Sequence, residues 1–350
     1  MRCGSGSFGS VDAGYCVGRC CRRTEEHSTK AIVQHKYGSP EAVLELEEID
    51  RPPVGDNELL VRIHAASIHI GDYYAMTGVP KVMRPVFSLM RAKNRVPGTD
   101  IAGTVEVVGK AVAQLHTGDE VFGWGRGAFA EHVSVSEDAL ALKPTNLTFE
   151  QAAAIGVSAF TALQALRDHG KVQQGQQVLI TGASGGVGTF AVQIAKSFGA
   201  EVTGACSTRN LDLVRSIGAD EVIDYTQEDY TRGDRRYDLI LDNVGNHSLA
   251  DTRRALTPSG TLLANGAPVS GWFGGLGHVV KAAGSSLFIA QQGRPFVSTP
   301  SQQDLITLKE LAEAGKVTPV IDSMYPLSET VAAMRHVGEG HAQGTTIITV

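Results

Sequence analysis

The chain has 350 residues, more than a typical single domain, so two domains, or one domain interrupted by another, are expected. Its 31 basic and 37 acidic residues leave a net charge of -6, and no basic face or long charge run indicates a nucleic acid or an anionic membrane as partner. Four of the five cysteines precede residue 22 and no apolar run reaches roughly 18 residues, which excludes a disulfide framework, predicts no membrane span and favours a reducing, cytoplasmic compartment.

Residues 1–29 are rich in glycine and serine and show neither a helical nor a strand period. They are expected to form a disordered extension, for which a misassigned start codon is one explanation. A transit peptide is the weaker alternative, because Asp12, Glu25 and Glu26 are unfavourable in one. The run CVGRCC is not followed by a second Cys or His pair at ligand spacing, so it does not predict a metal site.

Residues 30–150 consist of short alternating runs such as AVLELEEID, ELLVRIHAASI and IAGTVEVVG. Glycine and proline separate these runs. Period-two alternation with such punctuation predicts a compact, largely antiparallel β domain.

From Glu150 the pattern changes to helices that alternate with apolar strands. The first helical run ends at Gly170, which suits a C′ glycine. Apolar strands that alternate with helices of this length specify a parallel sheet covered on both faces. Residues 151–295 are therefore predicted to form a doubly wound α/β domain. Its expected strands are QVLITGA, EVTGAC, EVIDY, YDLILDNVG and GTLLANGA.

Residues 296–350 hold the helical runs SQQDLITLKELAEAG and LSETVAAMRHVGEG, and the strands VTPVIDSMY and TTIITV. This tail is too small to be a domain. We expect it to complete the first domain, which leaves the parallel-sheet domain as an insertion with a cleft between the two.

A glycine-rich turn, GASGGVG, follows the first strand of the parallel-sheet domain. It matches the dinucleotide fingerprint, with alanine in place of the first glycine. A side chain at Gly185 would block the backbone from a pyrophosphate, and one at Gly188 would push the helix from the strand. Because the turn lies between a predicted strand and a predicted helix, dinucleotide binding is favoured over a tight structural turn. The predicted contacts are Gly182, Ala183, Ser184, Gly185, Gly186, Val187 and Gly188.

The second strand ends where an NAD-selective site would place an acid on the adenosine ribose, and Cys206 stands there instead. A small side chain leaves room for a 2′-phosphate. Ser207 and Thr208 could donate hydroxyl hydrogen bonds to it, and Arg209 a charge-assisted one. The pattern predicts NADPH as cofactor. The alternative is that Arg209 is a solvated loop residue and the enzyme is indifferent to the phosphate.

Five segments together resemble the medium-chain dehydrogenase/reductase superfamily, and the resemblance covers about residues 30–350. The branch resembled is that of the zinc-independent quinone oxidoreductases, including chains labelled NAD(P)-dependent alcohol dehydrogenases. The resemblance implies a homodimer and an α/β fold with a GroES-like β domain interrupted by a Rossmann doubly wound parallel-sheet domain. The segments are VPGTDIAGTVEVVG, GDEVFG, GAFAEHVSV, GASGGVGTFAVQIAKSFGAEV and YDLILDNVG.

Zinc-dependent alcohol dehydrogenases of this superfamily hold a catalytic zinc with a cysteine, a histidine and a second cysteine. By resemblance the corresponding positions are His69, Thr99 and Val157, two of which cannot ligate a metal. Their structural zinc needs four cysteines, and residues 30–150 contain none. No metal is expected, and His69 is interpreted as a cleft-lining or hydrogen-bonded histidine.

A site without zinc favours a substrate that needs less activation than a simple alcohol. Quinones and α,β-unsaturated carbonyls qualify, because they accept hydride at an electron-poor atom and leave a delocalised oxyanion. By resemblance, residues 67–78 belong to the substrate cleft. Tyr74 and His69 are the candidate catalytic residues: Tyr74 could donate a proton to the carbonyl oxygen, and His69 could polarise it or relay the proton. The alternative for Tyr74 is an aromatic wall, while Tyr73 is expected to pack and Asp72 to accept backbone N–H groups.

Further cofactor contacts are predicted, and each of them could instead be an ordinary turn. By resemblance, Thr161 lies near the nicotinamide and Tyr225 lies beside the adenosine. The remaining contacts end parallel strands at the edge where ligands collect. A glycine-rich segment after them, with Trp272 and Phe273, is a candidate substrate loop or an ordinary surface loop. The predicted strand-end contacts are Asn243, Val244, Gly245, Gly266 and Ala267.

The sequence thus predicts an NADPH-dependent, zinc-independent oxidoreductase that transfers hydride to a quinone or conjugated carbonyl. Two alternatives stay open. One is an NAD(P)-dependent alcohol dehydrogenase or aldehyde reductase, and the other is an NADPH-binding regulatory or structural protein without turnover, since fold alone does not guarantee activity.

Overall fold

The computed structural model describes residues 27–79, 81, 84–85, 88, 95–265, 292–295, 298–340 and 342–350, and of 292–295 only the backbone. These residues form a two-stranded hairpin, a seven-stranded sheet and a six-stranded sheet. The combination of an antiparallel β region with a parallel α/β region is confirmed. Residues 1–26 of the expected disordered extension lie outside the described residues, and the first strand already begins at Ser28, before the expected end of that extension.

The seven-stranded sheet joins the first part of the chain to its C-terminal end. Its strands are β3 (Glu58–Ile68), β4 (Asp100–Val108), β5 (Glu120–Trp124), β6 (His132–Ser136), β7 (Leu140–Leu142), β14 (Ile321–Pro326) and β15 (Thr345–Thr349), and the separate hairpin consists of β1 (Ser28–Gln34) and β2 (Leu44–Asp50). The order is β14-β15-β3-β4-β5-β7, with β6 paired to β3. The tail therefore returns to the first region, with β15 antiparallel to β3. The domain limits stated above stay a prediction.

The six-stranded sheet is parallel throughout. Its strands are β8 (Gln177–Thr181), β9 (Glu201–Cys206), β10 (Glu221–Asp224), β11 (Tyr237–Asp242), β12 (Leu256–Ala264) and β13 (Gln292–Pro295). Their order is β10-β9-β8-β11-β12-β13. Counted from β8, this is the 3-2-1-4-5-6 order of a Rossmann sheet, in which ligands bind outside the carboxyl ends of the strands where the order reverses. That point lies between β8 and β11.

One helix lies between the seven-stranded sheet and a helix that covers the six-stranded sheet. The helices of the described residues are α1 (Pro40–Val43), α2 (Ile70–Thr77), α3 (Phe149–Gln164), α4 (Gly186–Ser197), α5 (Leu211–Ser216), α6 (Leu249–Arg254), α7 (Gln302–Glu313) and α8 (Thr330–Gly338). Helix α3 contacts β3, β4 and β5 on one side and α4 on the other. Twelve of its 16 residues are buried, because a helix covered on several sides is apolar on more than one face. The largest buried cluster runs through α3 from Phe122 of β5 to Ile180 of β8.

The prediction of Gly170 as a C′ glycine is wrong. After α3 the chain makes one π-helical turn over Ala165–His169, and Gly170 itself has right-handed helical angles with φ -81°. The wider turn adds one residue, so the left-handed position falls on Lys171, with φ 50°. The hydrogen bond from the Gly170 N–H to the Ala165 carbonyl, at 2.7 Å, closes this turn.

Candidate functional site

A cleft of about 1190 Å³ lies between the two sheets, at the carboxyl ends of β8, β9 and β11. It is larger than the roughly 300 to 1,000 Å³ of ordinary small-molecule pockets, so it has room for a dinucleotide and a second molecule. Of the predicted site residues that the structure describes, Ala183 and Gly245 do not line it. Those that line it are His69, Tyr74, Thr161, Gly182, Ser184, Gly185, Gly186, Val187, Gly188, Cys206, Ser207, Thr208, Arg209, Tyr225, Asn243 and Val244.

The glycine-rich turn joins β8 to α4. Gly182 has a φ of 60°, in the left-handed region that glycine tolerates, and its carbonyl accepts the Gly185 N–H at 3.0 Å. A Cβ at Gly188 would collide with the backbone of Gly182 and Ala183, which fixes the close approach of helix to strand. A Cβ at Gly185 would meet no protein atom nearer than 3.4 Å and would instead project into open space at the turn. The turn therefore fits a phosphate group at the N-terminus of α4.

The edge at the end of β9 carries the residues predicted to hold a 2′-phosphate. Cys206 is buried, and burial raises the pKa of its thiol to about 11, so the thiol stays neutral and unreactive at physiological pH. Thr208 and Arg209 are exposed, and Tyr225 is 55% exposed. The Thr208 hydroxyl donates to the Asp224 carboxylate at 2.6 Å. Sequence reasoning missed Asp224, although it ends the strand that follows β9.

A hydrogen-bond network fixes the turn after β11. Thr181 donates its hydroxyl to Asp242 at 2.7 Å, and the same Asp242 oxygen accepts the N–H groups of Val244 and Gly245 at 3.2 and 2.9 Å. The Asn243 side chain donates to the Thr181 carbonyl at 3.0 Å. The network ties the turn to β8, so the cleft wall is preorganised. Thr181 and Asp242 were not predicted, but both end neighbouring strands at the ligand edge.

The opposite end of the cleft is formed by the first turn of α2. His69 Nε2 lies 3.0 Å from the Thr99 hydroxyl and 3.4 Å from an Asp72 carboxylate oxygen, and the same oxygen accepts the His69 backbone N–H at 3.0 Å. Asp72 thus accepts a backbone N–H, as expected. Burial raises the pKa of its carboxyl, and the neighbouring His69 opposes this shift. The imidazole is held in place by both neighbours.

Tyr74 presents its ring to the cleft one turn further along α2. No hydrogen bond of its hydroxyl group is found within the part of the chain that the structure describes. Burial raises the pKa of this phenol, so the hydroxyl keeps its proton at neutral pH. Tyr73 faces away and packs beside Gly338, where a Cβ would collide with its ring. The two tyrosines therefore differ in surroundings, Tyr74 in the cleft and Tyr73 in the packing.

Asp100 lies behind this end of the cleft and was not singled out from the sequence. It is 1% exposed, and its Oδ2 accepts the Val157 N–H at 2.9 Å and the Ser67 hydroxyl at 3.0 Å. Its Oδ1 is buried without a partner among the described residues. Burial raises the pKa of the Asp100 carboxyl to about 6, against the opposing effect of His69. The sequence signal that could have identified Asp100 is an acidic residue at the start of the apolar strand β4.

The positions that resemble zinc ligands do meet in space. Thr99 contacts His69, and the Val157 N–H bonds Asp100, the residue that follows Thr99 in the chain. The Val157 side chain has no atom that could ligate a metal, and the Thr99 hydroxyl is bonded to His69. These three residues do not fit the donor set of a zinc site. Among the described residues, one group could otherwise hold a metal ion, on the β1–β2 hairpin outside the cleft: His35, Glu45 and Glu47.

Thr161 faces the cleft from α3. Its hydroxyl donates to the Val157 carbonyl at 2.8 Å and lies 3.0 Å from the Ser298 hydroxyl. The predicted contacts Gly266 and Ala267, and the loop with Trp272 and Phe273, lie outside the described residues. Within the ranges described, no helix is both long and apolar enough to cross a membrane.

Comparison with known proteins gives consistent matches. Residues 55–145 match an alcohol dehydrogenase GroES-like domain, and residues 217–348 match a zinc-binding dehydrogenase domain. The chain is 34% identical to the mitochondrial NAD(P)H oxidoreductase RTN4IP1 of Mus musculus, over 91% of this chain and 89% of that one. It is 32% identical to a quinone oxidoreductase of Sus scrofa, over 92% and 97%. The solved quinone oxidoreductase from Coxiella burnetii has a TM-score of 0.81 at 29% identity, covering 92% of this chain and 99% of that one.

Proposed function

Because this chain belongs to the medium-chain dehydrogenase/reductase superfamily, in its quinone oxidoreductase-like branch, and is an NAD(P)H-dependent oxidoreductase, we propose a more specific function for it. It uses NADPH to reduce a quinone or an α,β-unsaturated carbonyl, without a metal. One observation carries this proposal. A single cleft joins the glycine-rich turn at Gly182 to the side chains of His69 and Tyr74.

The cofactor supplies the hydride, and the protein supplies binding and orientation. The turn at Gly185 fits the pyrophosphate, and the helix N-terminus that follows favours its negative charge. Ser207 and Arg209 line the cleft at the end of β9, where a 2′-phosphate would lie. An arginine there supports NADPH, because a guanidinium forms strong bonds with phosphate.

Tyr74 is the better candidate for the proton donor. Its hydroxyl has no partner within the described ranges, and its raised pKa keeps the proton available. His69 Nε2, in contrast, already contacts Thr99 and Asp72. We therefore assign the donation to the substrate oxyanion to Tyr74, and to His69 the role of shaping and polarising the cleft.

The lack of a zinc donor set at His69, Thr99 and Val157 supports this substrate class. A simple alcohol would have to lose its hydroxyl proton without a Lewis acid, whereas a quinone accepts hydride and leaves a delocalised anion. The matching relative from Sus scrofa is named a quinone oxidoreductase, which supports the same class.

The turnover test measures NADPH consumption with a para-quinone, an enone and a panel of simple aldehydes. We expect turnover of the quinone or the enone, unchanged after treatment with a zinc chelator. Tyr74→Phe should lower kcat by about 100-fold with little change in KM, and His69→Asn should lower it less. Activity confined to alcohols with NAD(P)+, loss of activity on chelation, or tight NADPH binding without any turnover would each contradict the proposal.

The cofactor test is Arg209→Ala. We expect the Kd for NADPH to rise about 10- to 100-fold and that for NADH to change by less than about threefold, because only NADPH carries the extra phosphate. Fluorescence titration of both dinucleotides measures this. Arg236→Ala is the matched control, since that exposed arginine bonds only backbone carbonyls outside the cleft in its described contacts. Equal losses for NADPH and NADH would refute the assignment.

A homodimer and a cytoplasmic location remain expectations. The first comes from the resemblance alone, and the second from the use of cysteine. One matching relative is named as mitochondrial, so fractionation is the measurement that decides the location.

A further inference from the structure

The parallel pairing of β9 and β10 brings an acid to the cofactor edge. Asp224 is the register partner of Cys206, the residue at the position where an NAD-selective site would have its own acid. The Tyr225 N–H donates to the Cys206 carbonyl at 3.1 Å and holds the two strand ends together. An acid is thus present at this edge, but on the neighbouring strand.

The Asp224 carboxylate accepts hydrogen bonds from two threonine hydroxyl groups. Thr208 donates to its Oδ2 at 2.6 Å, and Thr226 donates both its hydroxyl and its N–H to Oδ1, at 2.7 and 3.0 Å. The hydrogen bond from Thr208 is the main cause that lowers the pKa of Asp224, so the carboxylate is ionised at neutral pH. Its charge also acts on the neighbouring residue, since it is one cause of the raised pKa of Cys206.

A threonine hydroxyl has one proton to donate. Because the Thr208 hydroxyl donates its one hydrogen bond to Asp224, the Thr208 oxygen presents only lone pairs to the cleft. Such an oxygen can accept a hydrogen bond from the 2′-hydroxyl of NADH. It cannot donate to a phosphate oxygen of NADPH, and the carboxylate behind it repels that phosphate.

We propose that Asp224 is a specificity-determining residue of the cofactor site, which accepts the hydrogen bond of the Thr208 hydroxyl and places a negative charge beside the 2′-phosphate position. Arg209 favours NADPH, and Asp224 opposes it. The preference for NADPH over NADH is therefore smaller than Ser207, Thr208 and Arg209 alone would produce. This inference rests on the proposed binding of NADPH at the end of β9.

The test is Asp224→Asn, measured by titration with NADPH and with NADH. The amide removes the charge, so the Kd for NADPH should fall about tenfold while that for NADH changes by less than about twofold. Thr208→Val removes the accepting oxygen, and should weaken NADH several-fold more than NADPH. Asp234→Asn is the matched control, because it removes an exposed carboxylate that, in its described contacts, does not bond Thr208 and does not pair with the end of β9.

The outcomes separate this inference from the proposed function. If Arg209→Ala weakens NADPH selectively but Asp224→Asn leaves the ratio of the two Kd values within about twofold of wild type, the inference is wrong and the NADPH site stands. If Arg209→Ala weakens both dinucleotides equally, both are wrong. Equal effects of Asp224→Asn and Asp234→Asn would also overturn the inference, because the effect would then be one of net charge.

Discussion

At the scale of single residues, the surroundings of His69 include two buried carboxyl groups. Asp72 contacts its imidazole directly, and His69 opposes the rise in the pKa of Asp100, which lies on β4 and also accepts the Val157 N–H. Burial raises the pKa of both acids, because removing a carboxylate from water disfavours the charged form. Asp100, whose carboxyl has a pKa of about 6, therefore changes its charge just below neutral pH.

Asp100 makes the free energy of unfolding decrease as the pH rises from about 4 to about 6. Its pKa is about 6 in the folded chain against 3.8 for the free group, so between these values the folded state binds the proton that the unfolded state releases. This contribution is fully present below about pH 4 and is lost as the pH rises through about 6. Between pH 4 and 7 the free energy of unfolding of Asp100→Asn should therefore decrease by up to about 3 kcal/mol less than that of wild type.

Urea unfolding of wild type and Asp100→Asn at several pH values measures the difference. Asp138→Asn is the control, because that carboxylate is exposed and should leave the pH profile unchanged. Parallel profiles for wild type and Asp100→Asn would show that Asp100 titrates normally in the folded protein.

At the scale of elements, α3 packs between the seven-stranded sheet and helix α4 of the six-stranded sheet. Its N-cap is Thr148, whose hydroxyl accepts the Gln151 N–H while the Gln151 side chain accepts the Thr148 N–H. We did not predict this capping box, although Thr-x-x-Gln is a local pattern from which it could have been predicted. The bend at Gly156, with φ -6° and ψ -133°, was not predicted, and the side chain packed against it is Asp100 on another element.

Gly156→Ala should destabilise the protein. An alanine inside a helix normally stabilises it by about 1 kcal/mol relative to glycine. Here a Cβ would overlap the Asp100 carboxyl group, so we expect a loss of about 3 kcal/mol instead. Chemical denaturation measures the free energy of unfolding. Gly233→Ala, where no atom lies within 4 Å of the added Cβ, should change it by less than about 0.5 kcal/mol, and a stabilised Gly156→Ala protein would contradict the packing described.

At the scale of the whole molecule, the cleft exists because the chain leaves the first sheet and later returns to it. The C-terminal tail contacts the glycine-rich turn directly, because Gly344 next to β15 donates its N–H to the Ser184 carbonyl at 2.8 Å. A Cβ at Gly344 would collide with Val320, so this approach requires glycine. The return of the tail thus closes one wall of the cofactor site.

The sequence by itself determined the features that depend on neighbours in the chain. Alternation with period two predicted the antiparallel region, apolar strands between helices predicted the parallel sheet, and the spacing of Gly182, Gly185 and Gly188 predicted the turn. Only the tertiary structure decided that Asp224 lies beside Thr208, and that Asp100 lies under Gly156. These contacts join residues 16 and 56 positions apart, and they follow from strand order and register, which no local pattern of residues specifies.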